Sequence, residues 1–271
     1  MIGPSYLSVS QVNSLKTCPR QYVFKHILKE REFKNKNLLV GTAFHKMLEG
    51  KDVEAELKEL PAEYPHRAVL KKMKRVYEDA TAQLPKVIAR EVNFRVDSGQ
   101  FEIMGYVDAV RVGDDGWYLG EEKTAAVIDE NKKNMLAFDL QICTYMYSQA
   151  AIARQVGVDK PFKGLIYTAT TKPSEKVKKT ETLEEFAARA TVETRVWKVE
   201  DTPPERIKLI VETEFNWAQK TKQEIEATWI SSGENLDAIP SNSHSCFKFN
   251  TPCNYFEKCY GTKPVVKGPS E

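Results

Sequence analysis

Nowhere in the 271 residues does an apolar run approach the length needed to cross a bilayer, which is ~18 residues. The N-terminus has no charged segment followed by an apolar core, so no secretory signal is read there. Five cysteines, an odd number, do not compose a secreted disulfide framework. They point to a reducing, cytoplasmic compartment in which thiolates are available to ligate metal. No Gly-x4-Gly-Lys-Ser/Thr loop is present, so a motor of that class would have to come from a partner. Formal charge is only +2, which excludes a global basic field; a polyanion would have to be met by local positive patches. Internal repeats are absent.

What remains is a chain of ordinary length and composition. Its 41% apolar fraction is enough for a sizeable core, and the length suits one domain spanning 1–271 with a helical insertion over about 50–84. A helix that Ser8 or Ser10 could cap is expected through about Leu28, followed by a charged loop and a helical segment over Leu38–Glu49. Val87–Val96, Phe101–Val112 and Trp117–Lys123 read as consecutive strands, separated by turn signals at Asp97-Ser-Gly and Gly113-Asp-Asp-Gly. A helix over roughly Met135–Val156, a strand at Gly164–Thr170, a short helix at Leu183–Arg189 and a last strand at Val192–Val199 follow. Pro203-Pro204 opens a long amphipathic helix that ends at Ser231-Ser-Gly233. The remainder reads as loop, with a tail over 261–271 expected to be mobile. This order gives an α/β (α+β) fold: a central mixed β-sheet of about five strands flanked by helices, an N-terminal helical region and a C-terminal cysteine loop over about 233–260.

Chemistry concentrates on the second and third strands. Gly105-Tyr-Val-Asp108 lies near the end of one, and Glu121-Glu-Lys123-Thr124 near the end of the next, with twelve residues between the two acids. Glu121 and Lys123 are two apart and therefore face the same side of a strand. A tight turn between the strands makes Asp108 a neighbour of Glu121. Hard oxygen ligands suit Mg²⁺ or Mn²⁺, and a lysine beside them can steady an attacking water or a developing phosphorane charge. Taken singly, such a pattern is also what a solvated charged strand end looks like.

Further residues accompany it. Gly41-Thr-Ala-Phe-His45 ends in one of only four histidines, and Phe138-Asp-Leu-Gln141-Ile-Cys-Thr-Tyr145 opens a helix on which Gln141 and Tyr145, four apart, share a face. Cys18-Pro19-Arg20-Gln21-Tyr22 lies near one terminus and Cys246-x6-Cys253-x5-Cys259 near the other. Cys143 lies off the Gln141–Tyr145 face and reads as a small apolar core residue. Basic patches stand at Lys71-Lys72-x-Lys74-Arg75, Lys132-Lys133 and Lys176-x-Lys178-Lys179; Lys132 and Lys133, between the third strand and the Gln141 helix, are the pair best placed for phosphate.

In this order the motifs resemble the PD-(D/E)XK nuclease superfamily, and within it the branch of RecB- and AddB-like nuclease domains and CRISPR-associated iron–sulfur exonucleases, from about Ser8 to Cys259. The resemblance implies a metal-dependent DNA exonuclease of recombination, repair or processing, with Asp108 and Glu121 as metal carboxylates, His45 as a further ligand and Lys123 as the motif lysine. It implies that Gln141 and Tyr145 help hold substrate and organise the site, and that Arg20 and Tyr22 contact it. Cys18, Cys246, Cys253 and Cys259 match ligands of a 4Fe–4S cluster; a zinc ion is the alternative occupant, although spacings of six and five suit structural zinc poorly. The motif acid is Glu121 where relatives more often carry Asp, and Cys246-x6-Cys253 is longer than their usual Cys-x2-Cys. The expected substrate is single-stranded DNA or a duplex end, with a helicase or recombination protein as partner and no membrane. Alternatives are a catalytically silent nucleic-acid-binding or inhibitory protein on the same fold, and a trimming nuclease for CRISPR adaptation.

Overall fold

A computed structural model describes residues 3–30, 36–200, 202–248 and 251–261; of the tail expected to be mobile, only Gly261 is among them. The chain forms two compact units, one drawn from 1–33, 95–105 and 209–271, the other from 34–94 and 106–208.

The second unit carries most of a five-stranded sheet, ordered β1 (Lys86–Asp97), β2 (Glu102–Val112), β3 (Trp117–Ala125), β4 (Phe162–Thr171) and β5 (Thr194–Val199). β2 and β3 are an antiparallel hairpin, with Ala109 opposite Gly120 and Val112 opposite Trp117. The turn between them closes through Gly113 N–H to Gly116 C=O at 2.9 Å. Gly116 adopts φ +153° with Pro161 C=O so close that a Cβ would lie 2.4 Å from it, so only glycine serves there. β3 and β4 are parallel, which demands a crossover; the helices between them supply it. β4 and β5 return to antiparallel pairing, which makes the sheet mixed. From Trp117 to Glu122 every residue of β3 is buried, as expected of a central strand covered on both faces.

Helices α3 (Lys36–Leu48), α4 (Glu54–Glu59) and α5 (Pro65–Thr81) precede the sheet. Leu39, Val40 and Phe44 of α3, Leu70 and Met73 of α5, and Leu60, which ends α4, form one buried cluster, each side chain contributing on the order of 1.5–3 kcal/mol by leaving water. The expected single helix over Met135–Val156 is instead α6 (Glu130–Met135), a 3₁₀ turn, α7 (Leu140–Tyr147) and α8 (Gln149–Val156). Asp139 interrupts it because its carboxylate accepts the Gln141 and Ile142 N–H groups as an N-cap. α9 (Leu183–Arg189) starts from a full capping box between Thr182 and Glu185.

In the first unit, α1 (Val9–Thr17) is capped by Ser8, and α2 (Pro19–Tyr22) continues into a π-helical turn at Val23–Ile27. The expected unbroken helix through Leu28 therefore breaks at Cys18, which is extended (φ −168°, ψ 124°). The proline that follows disfavours helical backbone at the preceding residue. α10 (Pro204–Ser231) buries Phe215, Ala218, Ile225 and Trp229 along one stripe; Lys222 lies on that stripe and donates its ammonium to Pro4 C=O. After Gly233, where only loop is expected, a two-residue hairpin of β6 (Phe247–Lys248) and β7 (Thr251–Pro252) and the helix α11 (Phe256–Tyr260) are present. Among the described residues no helix is long and apolar enough to cross a membrane.

Candidate active site

β2 and β3 part where the acids stand. Beyond the Ala109–Gly120 pair, the Glu122 N–H does not meet a strand carbonyl; Asp108 Oδ2 accepts it at 2.7 Å. Asp108 is thus fixed by the strand it faces. Glu121 is fully buried and its carboxylate is ion-paired with the half-buried Lys123, as two-residue spacing on one strand face allows. Burial and, next, the Asp108 charge push Glu121 well above the ordinary carboxylate range, with Lys123 opposing. For Lys123 burial acts downward, but Glu121 and Asp108 outweigh it and hold the ammonium above its usual range.

α3 delivers His45 to the same place. A Cβ on Gly41 would lie 3.2 Å from Thr124 Oγ1, so the absence of one lets this helix approach β3 closely. One turn later, on the same face, His45 Nδ1 stands 4.0 Å from Asp108 Oδ2. From β1 comes Glu91, which motif reading does not single out. Ligand atoms of His45, Glu91 and Asp108 all lie within 4.8 Å of one another, the one such group among the described residues. Glu91 takes φ +50°, a left-handed conformation costing a non-glycine residue on the order of 1 kcal/mol. Desolvation, then Asp108 and Glu49, raise its carboxyl pKa, while His45 and Lys51 lower it. An acid following another charged residue in mid-strand was the only sequence signal it offered, and φ is not legible from a glutamate.

A cleft of about 570 Å³ opens over this group, lined by His45, Glu91 and Lys123 with Thr42, Lys46 and Lys172. On α7, Gln141 Nε2 donates to Tyr145 Oη at 2.7 Å, so the two residues are joined as a pair. Tyr145 is buried edge-on against Phe94, and its hydroxyl is raised far above the ordinary phenol range by burial and then by Glu121, which places it beside that carboxylate. Lys133 is exposed on α6; the side chain of Lys132 lies outside the described residues. Cys143 is buried, its thiol pushed up to about 11 by burial.

The opposite face of β3 holds a network that the sequence did not announce. Glu122 is 2% exposed and accepts from Arg90 Nη1 at 2.6 Å and from the Tyr77 hydroxyl; Arg111 Nη2 donates to Tyr77 at 2.7 Å and stands 3.7 Å from the carboxylate. A buried charge needs such partners.

The terminal cysteines lie in the first unit. Cys18 Sγ accepts the Asn242 N–H at 3.4 Å, Cys253 N–H donates to Cys246 C=O at 2.7 Å, and Cys246 Sγ lies 3.4 Å from the Tyr260 hydroxyl. Burial raises the Cys259 thiol first, Arg20 lowers it, and Cys18 and Cys253 raise it, which brings these four side chains into one neighbourhood. Arg20, expected to contact substrate, donates instead to Ile239 C=O at 2.9 Å and faces Cys259. Tyr22, expected to do the same, is fully buried with its hydroxyl donated to Glu226 at 2.9 Å. Neither side chain is turned outward, because each satisfies a polar partner within its own unit.

The sequence profile of the PD-(D/E)XK nuclease superfamily matches residues 6–260. No curated protein matches the chain. Among solved structures, a candidate exonuclease from Eubacterium rectale superposes at a TM-score of 0.56 with 15% identity, over 98% of this chain and 91% of that one. The protein SSO0001 aligns at a TM-score of 0.33 with 14% identity, over 80% of this chain and 78% of that one. At such identities the likeness is one of fold.

Proposed function

Because the chain belongs to the PD-(D/E)XK nuclease superfamily, a family of hydrolytic nucleases, we propose that it is a Mg²⁺- or Mn²⁺-dependent DNA exonuclease. The observation that carries this reading is the meeting of His45 and Asp108, from α3 and β2, with the Glu121–Lys123 pair of β3. Their donor types suit a divalent cation, one imidazole with hard carboxylates, and the ligand atoms of His45 and Asp108 lie within 4.8 Å of each other, a range that Glu121 does not share with both. His45, Asp108 and Glu121 would hold the ion, which when bound supplies Lewis-acid polarisation of the phosphate and a more acidic water.

The chain's own residues do the rest. Lys123, held as an ammonium on the same strand face as Glu121, orients the attacking water or offsets charge growing on the phosphoryl oxygens. Water oxygen bonds to phosphorus as one phosphorus–oxygen ester bond breaks; its proton is released and the departing alkoxide takes one up. Tyr145, held by Gln141, meets Glu121 and steadies that carboxylate, while the cleft beside His45 takes the strand. Exposed Lys133 is offered to backbone phosphates. Cys259 has Arg20, Cys18 and Cys253 as electrostatic neighbours, which supports a thiolate-ligated centre. Among the described residues no three of the cysteine sulfurs lie within 4.8 Å of one another, so a bound centre would have to draw this loop together. We read that centre as a structural 4Fe–4S cluster, with zinc the other occupant.

End-labelled single- and double-stranded DNA, digested with Mg²⁺, with Mn²⁺ and with EDTA, tests the reading. Stepwise, EDTA-sensitive shortening from ends is expected. Intact substrate under every metal condition would favour a silent nucleic-acid-binding protein instead.

A further inference from the structure

Glu91 has no place in the reading above, yet of all side chains near His45 and Asp108 it is the one whose carboxylate shares their space. We infer that Glu91 is a further ligand of the divalent cation, so that the resting protein holds the ion on His45, Glu91 and Asp108 and favours Mn²⁺ over Mg²⁺. The inference rests on the nuclease reading and extends it.

Three observations support it. The three donors come from three separate elements, α3, β1 and β2, and still lie within 4.8 Å of one another, a spacing at which one ion could bridge them. Glu91 lines the cleft beside His45 and Lys123, so its carboxylate is open to an incoming ion rather than closed off by packing. Its strained backbone is maintained although no glycine is used, and the conformation places a carboxylate against another carboxylate; a cation would relieve that repulsion. Glu121, by contrast, already has an ammonium partner in Lys123. In the resting state this leaves Glu91 with more unbalanced charge to offer. An imidazole in the set favours a first-row transition ion over Mg²⁺, which prefers oxygen and parts with water reluctantly.

Mn²⁺ titration calorimetry on the full chain, with thermal melts with and without Mn²⁺, tests it on wild type, Glu91→Gln and Glu91→Asp. Wild type is expected to bind Mn²⁺ at least about tenfold more tightly than Mg²⁺. Glu91→Gln should weaken Mn²⁺ by about tenfold or more, with a metal-free melting temperature equal to or above wild type because a repulsive charge is gone. Its Mn²⁺-induced rise in melting temperature should shrink in parallel. Glu91→Asp, which keeps the charge but shortens its reach, should fall between. Unchanged Mn²⁺ affinity in a folded Glu91→Gln protein, while wild type still digests DNA, would overturn the ligand assignment and leave the nuclease reading standing. A metal-free melting temperature that falls in both variants would overturn it too, in favour of a structural role. Wild type that neither binds Mn²⁺ nor digests DNA would overturn both.

Discussion

Asp108 Oδ2 accepts the main-chain N–H of Glu122 at 2.7 Å, and the same oxygen faces His45 Nδ1 at 4.0 Å. One carboxylate thus both takes up a main-chain N–H of the neighbouring strand and stands beside His45, which lines the cleft. Asp108→Asn should keep the shape of the hydrogen bond but lose the charge. We expect a nearly wild-type melting temperature with nuclease activity down by ~10³ or more, as befits loss of several kcal/mol of transition-state stabilisation. Lys123→Ala should be similarly inactive. Near-normal, EDTA-sensitive digestion by either variant would refute these roles.

Gly41 makes room for α3 against Thr124. Gly41→Val should push the helix from β3 and carry His45 away with it. The expected result is a loss of metal affinity and of DNA digestion larger than the loss of stability. The same substitution at Gly50, where nothing lies within 4 Å of a new Cβ but φ is +72°, should cost stability through the strained turn while leaving the His45 approach to β3 intact. Equal metal affinity in both variants would show that the close approach is immaterial.

Glu122 is neither a metal ligand nor exposed, and its network lies behind the site. Removing its carboxylate with Glu122→Ala leaves the buried Arg111 and the partly buried Arg90 beside an empty place. A loss of about 3–5 kcal/mol in urea unfolding is expected, as for other broken buried pairs. A loss below about 1 kcal/mol would mean water replaces the carboxylate readily.

Tyr77 provides a pH test. Burial, then the Glu122 charge, pushes its hydroxyl up to about 12 against Arg111, from 10.0 in the unfolded chain. The folded state therefore keeps a proton that the unfolded state releases, and the contribution of this group is intact below pH 10 and lost as pH rises towards 12. Tyr77→Phe should cost about 1 kcal/mol near neutral pH, and the gap to wild type should narrow in urea melts at high pH. A gap that stays constant across that window would show that Tyr77 ionises alike in both states.

The terminal cysteines give the last prediction. Protein purified without oxygen should be brown, absorb near ~400 nm and carry about four irons; Cys18→Ala or Cys259→Ala should bleach it and Cys143→Ala should not. Colourless protein with one zinc per chain would show the right ligands around a different occupant.

Sequence alone determined the order of the five sheet strands and the side-chain alternation within them. Strand period placed Glu121 with Lys123, a Gly-Asp-Asp-Gly turn paired β2 with β3, and helical spacing joined Gln141 to Tyr145, because each relation is local or closed by one tight turn. The proline after Cys18 and the capping carboxylate of Asp139 are local signals too, and they break helices that apolar periodicity alone would continue. Only the tertiary structure decided the rest. Glu91 meets His45 and Asp108 across three elements, through a backbone angle that glutamate does not advertise. Glu122 looks in sequence like a second motif acid, yet the strand pleat turns it to the opposite face, where Arg90, Arg111 and Tyr77 converge from distant positions. Arg20 and Tyr22, expected as substrate contacts, spend polar atoms on Ile239, Cys259 and Glu226, partners that their own neighbourhood in sequence does not reveal. Each of these depends on which distant groups share a dry space, and local periodicity carries no information about that.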